Sequence, residues 1–490
     1  MAISDAEYKI WLANPEEDRL MLAEVKAYSG ASEVTRYLGS RYYHTGAGDT
    51  PANTTYLGRL VGSPAFTVAM SEAFGGRSFI SIGSIEIDNS DGELDSWITD
   101  AWDGRDATIK IGDPAWEISD FRTILTGLVD RLAIQDDLTL ELTLRDRQRQ
   151  LDVPIQTTLI GGGPNEDLPI PLCYGEVFNI TPVLIDDTTH EYQVHEGQIE
   201  DVVTVYEDGV ATSLTVTEDL ANGKFTLSAA PSGALTCDVK GHKPGGSYKT
   251  TPGDVLREIV SRVLTDPTDL DTSAFSAINT DANYTIGIYI SARENLLNIA
   301  DFILPAGWFY GFDRAGLFTL AVLKDPSAGS SVLTIDDLET HGDLGITKAD
   351  VPSWRTRVGY KKCWSTNTSP ASTATESHSA WLLNEFSLIE KSEDASVKTT
   401  HLLAQDPDLY PSLIVSSTDA GTEATRLQTL FGTQRYTYTV SAYVAPYQVE
   451  IGDVVTITDD RFDLGAGVDC RVTGLTEFFI DNRIELELWQ

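Results

Sequence analysis

Residues 448–490 close the chain with Ile451-Gly452-Asp453-Val454-Val455-Thr456-Ile457-Thr458, then Asp460-Arg461-Phe462-Asp463-Leu464-Gly465-Ala466-Gly467, then alternating segments at 471–475 and 483–489. Each segment is short, switches between apolar and polar side chains, and is separated from the next by Gly, Asp or Asn. A strand turns successive side chains to opposite faces, so this pattern predicts strands with one buried face, packed or closed into a β module. Nothing in the stretch has the spacing of a catalytic motif.

Working back toward the N-terminus, the same grammar recurs. Residues 21–28, 34–43, 78–87, 107–111, 121–134 and 138–144 read as strands, with Leu138, Leu140, Leu142 and Leu144 on one face and a turn at Asp88-Asn89-Ser90-Asp91-Gly92. Ile160-Gly161-Gly162-Gly163-Pro164-Asn165 reads as a hinge. From 169 to 246 the strands are very short, with turn residues every eight to ten positions. Thr251-Pro252-Gly253-Asp254 then predicts a helix start, followed by the apolar stripe Val255, Leu256, Ile259, Val260 and Val263. Ser291-Ala292-Arg293-Glu294 predicts a capping box opening a second helix, which Pro305 ends. A hairpin follows, 307–312 and 317–323 around Asp313-Arg314-Ala315-Gly316. Residues 366–379 read as a Ser/Thr-rich loop, 423–430 as a helix and 436–443 as a strand.

The expected fold class is mainly β with a minor α/β part. Its domains are an N-terminal β-barrel over 1–155, an all-β insertion over 156–247, an α/β unit over 248–330 and a C-terminal β-barrel over 331–490. The length of 490 residues fits several cores rather than one. No apolar run reaches membrane-spanning length, and the first residues lack the basic and apolar regions of a secretion signal.

With 35 basic and 74 acidic residues, the net charge is −39. Such a surface repels phosphate backbones and anionic lipids, which disfavours DNA reading and membrane-surface roles. Two explanations stand: plain solubility, or the walls of a passage through which DNA slides without sticking.

Candidate chemistry is sparse. His190 and His195, with Asp186, Asp187, Glu191 and Glu196 nearby, invite a metal reading, but alternation sends neighbours to opposite faces and a solvated loop is favoured. Gly161–Gly163 lacks the flanking pattern of a phosphate loop, and Asp88–Glu93 misses the register of a calcium loop. Trp97, Trp102 and Trp116 suggest a sugar platform, with core or interface packing favoured. Cys173, Cys237, Cys363 and Cys470 show no zinc spacing; a Cys173–Cys237 disulfide stays open, with reduced buried thiols favoured. The expectation is no catalytic residues, no cofactor-binding residues, no metal ligands and no cofactor.

Four blocks, in order, carry a family resemblance. They are 174–186 leading to Tyr192-x-Val194-His195-Glu196-Gly197 and Val205-Tyr206-x-Asp208-Gly209; the hairpin Gly307-Trp308-Phe309-Tyr310-Gly311-Phe312-Asp313-Arg314-Ala315-Gly316-Leu317-Phe318; Val358-Gly359-Tyr360; and the terminal pattern ending Asn482-Arg483-Ile484-Glu485-Leu486-Glu487-Leu488-Trp489. Together they resemble the hub proteins at the tail tip or baseplate of tailed bacteriophages with long non-contractile tails. The blocks span about two thirds of the chain, from 168 onward, and the first 155 residues carry only a compatible strand pattern.

The resemblance implies a structural virion protein, not an enzyme, assembled in the host cytoplasm and located at the virion tail tip. It implies a homotrimer in which each subunit supplies two tail-tube-like barrels. The partners implied are the distal tail protein or tail tube above, a central fibre or tip protein below, the tape-measure protein, and DNA in transit without specific binding. The alternatives carried forward are a tail-associated carbohydrate-binding receptor protein and a cell-wall hydrolase.

Overall fold

A computed structural model describes residues 3–14, 16–62, 64–70, 76–136, 138–336, 341–348, 351–443, 447–479 and 483–490. Asn482 of the terminal block lies outside them. The protein is mainly β, built from several sheets with interspersed helices.

The first large sheet contains β1 (Leu20–Ser29), β2 (Ser32–Gly39), β3 (Tyr43–His44), β4 (Thr55–Gly58), β8 (Ser84–Asp88), β9 (Asp106–Gly112), β10 (Arg122–Ile134) and β11 (Thr139–Arg145), in the order β3-β4-β2-β1-β9-β10-β11-β8. Its inward residues are the apolar members of each alternation; Leu140, Leu142 and Leu144 are buried, whereas Leu138, just before the strand, is exposed. The strand order is open. A single bridge, Leu60 to Ile87, with hydrogen bonds from Val61 N–H to Glu86 O and from Asp88 N–H to Arg59 O, joins the chain after β4 to the β8 edge.

That same ribbon continues into the other large sheet. Beyond Leu60 it becomes β5 (Ala65–Ala69), and ahead of β8 it is β7 (Phe79–Ile82), antiparallel to β5. The intervening β6 (Gly76–Arg77) pairs elsewhere, described below. The C-terminal sheet runs β23-β29-β30-β31-β28-β24, from β23 (Ser331–Asp336), β24 (His341–Lys348), β28 (Tyr436–Ala442), β29 (Val454–Thr458), β30 (Val468–Phe478) and β31 (Arg483–Trp489). The far half of β30 pairs with β5, Leu475 opposite Val68 and Phe478 opposite Ala65. Strands more than 400 residues apart in sequence therefore share one ladder.

One core fills the space between the two large sheets. It runs without a break from Tyr8, Val25, Ile87, Trp97 and Leu142 to Val455, Leu475, Leu486 and Leu488. Helix α1 (Asp5–Ala13), which sequence patterning did not reveal, is opened by a Ser4–Glu7 capping box and adds Tyr8, Trp11 and Leu12 to that core.

The middle of the chain forms smaller layers. Strand β12 (Leu172–Ile180) pairs through its first half with β20 (Gly287–Ile290) and through its second half with β19 (Leu235–His242), extending through β15 (Ile199–Glu207) to β16 (Val210–Ala211). Gly175 sits at the switch with φ +66, where a Cβ would lie 1.8 Å from Ile286 O, so only glycine permits the close approach. Beside this sheet lie β13 (Val183–Asp186), β14 (Glu191–Gln193), β17 (Val216–Asp219) and β18 (Lys224–Leu227). Helices α2 (Pro252–Val260), α3 (Thr272–Asp281) and α4 (Leu296–Ile303) pack around β20 and the hairpin β21 (Trp308–Phe312)–β22 (Phe318–Val322); β6 pairs with β21. A last sheet orders β26-β25-β27, from β25 (Arg355–Tyr360), β26 (Leu388–Glu393) and β27 (Tyr410–Pro411). Helices α5 (Glu376–Leu382) and α6 (Ser396–Thr400) flank it, and α7 (Ser417–Phe431) covers it.

The sequence expectations for α2 and the β21–β22 hairpin agree with these elements. The second capping box does not form. Residues 291–295 lie outside the helix instead, because the Glu294 N–H donates to the Gln156 side chain and its carbonyl accepts from the Ile155 N–H, and the helix begins only at Leu296 behind Asn295. The expected loop 366–379 contains the start of α5.

Truncating Leu475 to Ala is expected to cost about 2–5 kcal/mol in chemical denaturation. Because the core is shared, amide exchange protection should fall in β10 and β11 as well as in β30 and β31. Loss confined to the C-terminal strands would show that the two sheets fold separately.

Candidate functional site

A buried polar assembly is built on the turn between β21 and β22. Asp313 Oδ1 accepts the Leu317 N–H at 2.8 Å, and Gly316, at φ +84, completes the turn, so Arg314 projects from its tip. Arg314 is only 4% exposed and Glu477, on β30, 1%. One guanidinium nitrogen, Nη1, donates to both Glu477 oxygens at 2.9 Å; Nη2 donates to Val449 O at 3.0 Å and lies 2.7 Å from Glu450 Oε1. The Tyr447 N–H donates to Glu477 Oε1, and the guanidinium lies 4.9 Å from the centre of the Tyr447 ring.

Behind the tip, the Thr126 N–H of β10 donates to Arg314 O at 2.7 Å. Arg147 ties down the same turn through Gly316 O at 2.6 Å and Asp269 at 2.9 Å. Burial alone would lower the Arg314 pKa, but Glu477 and Glu450 reverse this and raise it. This set therefore joins the first sheet, the α/β unit and the C-terminal sheet at one point. Arg314 and Glu477 are paired with each other and turned away from solvent, which suits a clamp, and Glu450 closes its exposed outer edge.

Sequence patterning placed the hairpin but not the ion pair. The signal was present in β30, where Glu477 stands at an inward position between Leu475 and Phe479, all three buried. A carboxylate in that register requires a buried cation.

His190 and His195 do not converge. His190 takes a left-handed turn conformation at φ 57 and is half-buried. His195 is fully buried, which overturns the solvated-loop reading, and the reason is a partner distant in sequence: the Cys173 N–H donates to its Nδ1 at 3.0 Å. Its Nε2 lies 2.9 Å from His242 Nδ1, and His242 Nε2 lies 3.5 Å from Glu258 Oε2. The Tyr174 ring meets both imidazoles edge-on. Burial holds the His195 pKa well below its usual 6.5, and the hydrogen bond from His242 holds Glu258 below the usual carboxylate range. His242 and Glu258 had no local sequence signal, since they come from β19 and α2.

The remaining sequence candidates are occupied structurally. Trp97 and Trp102 are buried, with the Trp102 Nε1 donating to Trp97 O, and partly buried Trp116 packs on Trp11 with centroids 4.5 Å apart. Buried rings offer no face to a sugar. Asp91 and Glu93 are both held by Arg59, at 2.7 and 2.8 Å, which takes the calcium-like carboxylates. Gly163 and Asn165 lie in a loop anchored by the Asn165 Nδ2 bond to Leu184 O. Cys173, Cys237, Cys363 and Cys470 are free buried thiols, and burial pushes each pKa up. Among the described residues no three His, Cys, Asp or Glu side chains are grouped to hold a metal, and no helix is long and apolar enough to cross a membrane.

Replacing Glu477 by Ala leaves Arg314 buried without its main counter-ion and should destabilise the fold by about 3–5 kcal/mol. The double change Arg314→Met, Glu477→Leu should recover most of that loss in denaturant titrations. A single substitution costing under about 1 kcal/mol would mean that water reaches the pair.

No protein-family model matches the chain, and no curated protein matches it. Among solved structures it is similar to a tail protein from Neisseria meningitidis, at 12% identity over 96% of each chain with a TM-score of 0.36. It is also similar to a prophage tail protein from Listeria monocytogenes, at 11% identity over 90% of this chain and 93% of that one, TM-score 0.41. A third similarity is to a chain of the virion of a native gene transfer agent particle, at 13% identity over 68% of this chain and 87% of that one, TM-score 0.45.

Proposed function

We propose that this protein is a structural component of a phage-like tail, acting as a trimeric hub ring at the tail tip and carrying no enzymatic activity. The observation that carries the proposal is the coincidence of two things. The blocks that resemble tail hubs include the strands β29–β31 and the hairpin β21–β22, and in the fold these are the parts that the Arg314–Glu477 pair locks together.

In this reading, residues 1–155 and 331–490 form two barrel-like modules, 156–247 an outer or floor insertion and 248–330 the α/β connector. The Leu60–Ile87 bridge supports closure of the first module, because it links the two ends of an otherwise open strand order. Three subunits with two modules each supply six wall segments, which suits mating with a hexameric tube or distal tail protein above and a trimeric fibre below. The net charge of −39 suits a lumen that DNA crosses without arrest.

Mass photometry of the purified chain is expected to give a species near three times 53.5 kDa, or that mass plus the bound partner's when a neighbouring tail protein is supplied. Mass spectrometry of purified particles should find about three copies per virion, as trimeric ring symmetry requires. A chain that stays monomeric with every tail partner supplied, or that is absent from particles, would refute the hub assignment.

A further inference from the structure

We propose that His195, His242 and Glu258 form a one-proton latch that holds the segment just past β14 to β12 and loosens on acidification. The three side chains come from the segment just past β14, from β19 and from α2, and they form a hydrogen-bonded chain with one direction. The Cys173 N–H of β12 can only donate, so His195 Nδ1 must be the bare acceptor at 3.0 Å. The His195 proton then sits on Nε2 and points at His242 Nδ1, 2.9 Å away, which must also be bare. The His242 proton is left on Nε2, facing the Glu258 carboxylate at 3.5 Å.

Every position in that chain is used once. A proton added to His195 can go only to Nδ1, where it meets the Cys173 N–H. Two donors then face each other and the contact between β12 and the segment just past β14 opens.

Glu258 faces His242, but the charged and titratable groups around His195 do not rescue an imidazolium there. From β12 the pair faces the Cys173 thiol and the Tyr174 ring. Just past β14, Glu196 is already engaged by Arg262, which follows α2 and whose charge works against protonation of His195. Glu258 is shared with Lys249 at 4.0 Å and lies near Arg257. No carboxylate faces the His195 ring directly.

The direction of the pH effect follows. A buried base whose folded pKa lies below its unfolded value of 6.5 binds fewer protons folded than unfolded. The latch is thus fully closed above about pH 6.5, and its opening equilibrium rises about tenfold per pH unit below that until the folded pKa is reached. This device is independent of the hub assignment, because it concerns only contacts within one chain.

Hydrogen exchange of the full-length protein, corrected for the intrinsic rate at each pH, tests it. Protection in β12, at 193–197 and in β19 should fall about tenfold per unit below about pH 6.5, while the β21–β22 hairpin holds. The double variant His195→Gln, His242→Gln keeps a donor and an acceptor at each position without a titrating nitrogen, and its protection should not change over that range. Flat protection in the wild type, or the full acid fall persisting in the double variant, would overturn the latch. If the double variant does not fold, imidazole nitrogen NMR of the wild type decides. A bare Nδ1 with a protonated Nε2 on both rings near neutral pH is required, and an Nδ1–H tautomer on either ring refutes it.

Discussion

The ion pair between Arg314 and Glu477 is the constraint on which the arrangement of this protein rests. Moving a guanidinium out of water costs several kcal/mol even after relaxation, and the cost is offset only where geometry is good and the remaining donors find acceptors. Here Glu477 takes two bonds, the Val449 carbonyl takes a third and Glu450 neutralises the outer edge. Arg314 is therefore tolerable in one register of the C-terminal sheet relative to the β21–β22 turn. The Thr126 bond to Arg314 O extends that condition to the first sheet. A slip of β30 by one residue would turn Glu477 to the opposite face and leave the guanidinium unpaired.

The same junction explains why the chain is organised by stitching rather than by beads. The ribbon that starts after β4 seals one edge of the first sheet and then adds β5 and β7 to the C-terminal sheet, so the two sheets cannot separate without breaking a continuous ladder. Strand β12 does the same for the insertion, belonging at one end to β20 and at the other to β19. Arg471, buried beside the first of these ladders, donates to the carbonyls of Gly452, Lys324, Asp325 and Ala328, tying the segment that leaves the hairpin to β30. A body cross-linked this way transmits load through backbone hydrogen bonds rather than through hinges.

Local patterns told most about local structure. The alternation at 468–489 correctly puts Leu475, Ile484, Leu486 and Leu488 inside, and Asp313–Gly316 has the residues its turn requires. Reading failed where a partner far along the chain outcompeted a local preference. Ser291–Glu294 has a capping-box sequence, but Gln156 satisfies the Glu294 N–H from outside and the segment pairs with 153–156. His195 sits among turn residues and acids, and its burial is explained by partners elsewhere in the chain, the Cys173 N–H 22 residues earlier and His242 on β19. The pairing of β5 with β30 has no local correlate at all, since strand pairing is set by the faces that two strands bury and not by either strand alone.

Charge is the property whose meaning the fold changes most. The 35 basic residues are not spread evenly against the 74 acidic ones. Arg314 and Arg471 are almost wholly buried, and Arg147, Arg262 and Arg426 are committed to partly buried carboxylates or carbonyls. Each internal ion pair withdraws one cation and one carboxylate together, so the exterior keeps the whole acidic excess with fewer cations among it. Two such surfaces repel at the range of a Debye length, about 8 Å at physiological salt. Copies of this chain can therefore associate only where apolar or backbone groups gain more than that repulsion costs. The exposed edges of β7, β23 and β24, each hydrogen-bonded on one side only among the described residues, are places where such gains are available.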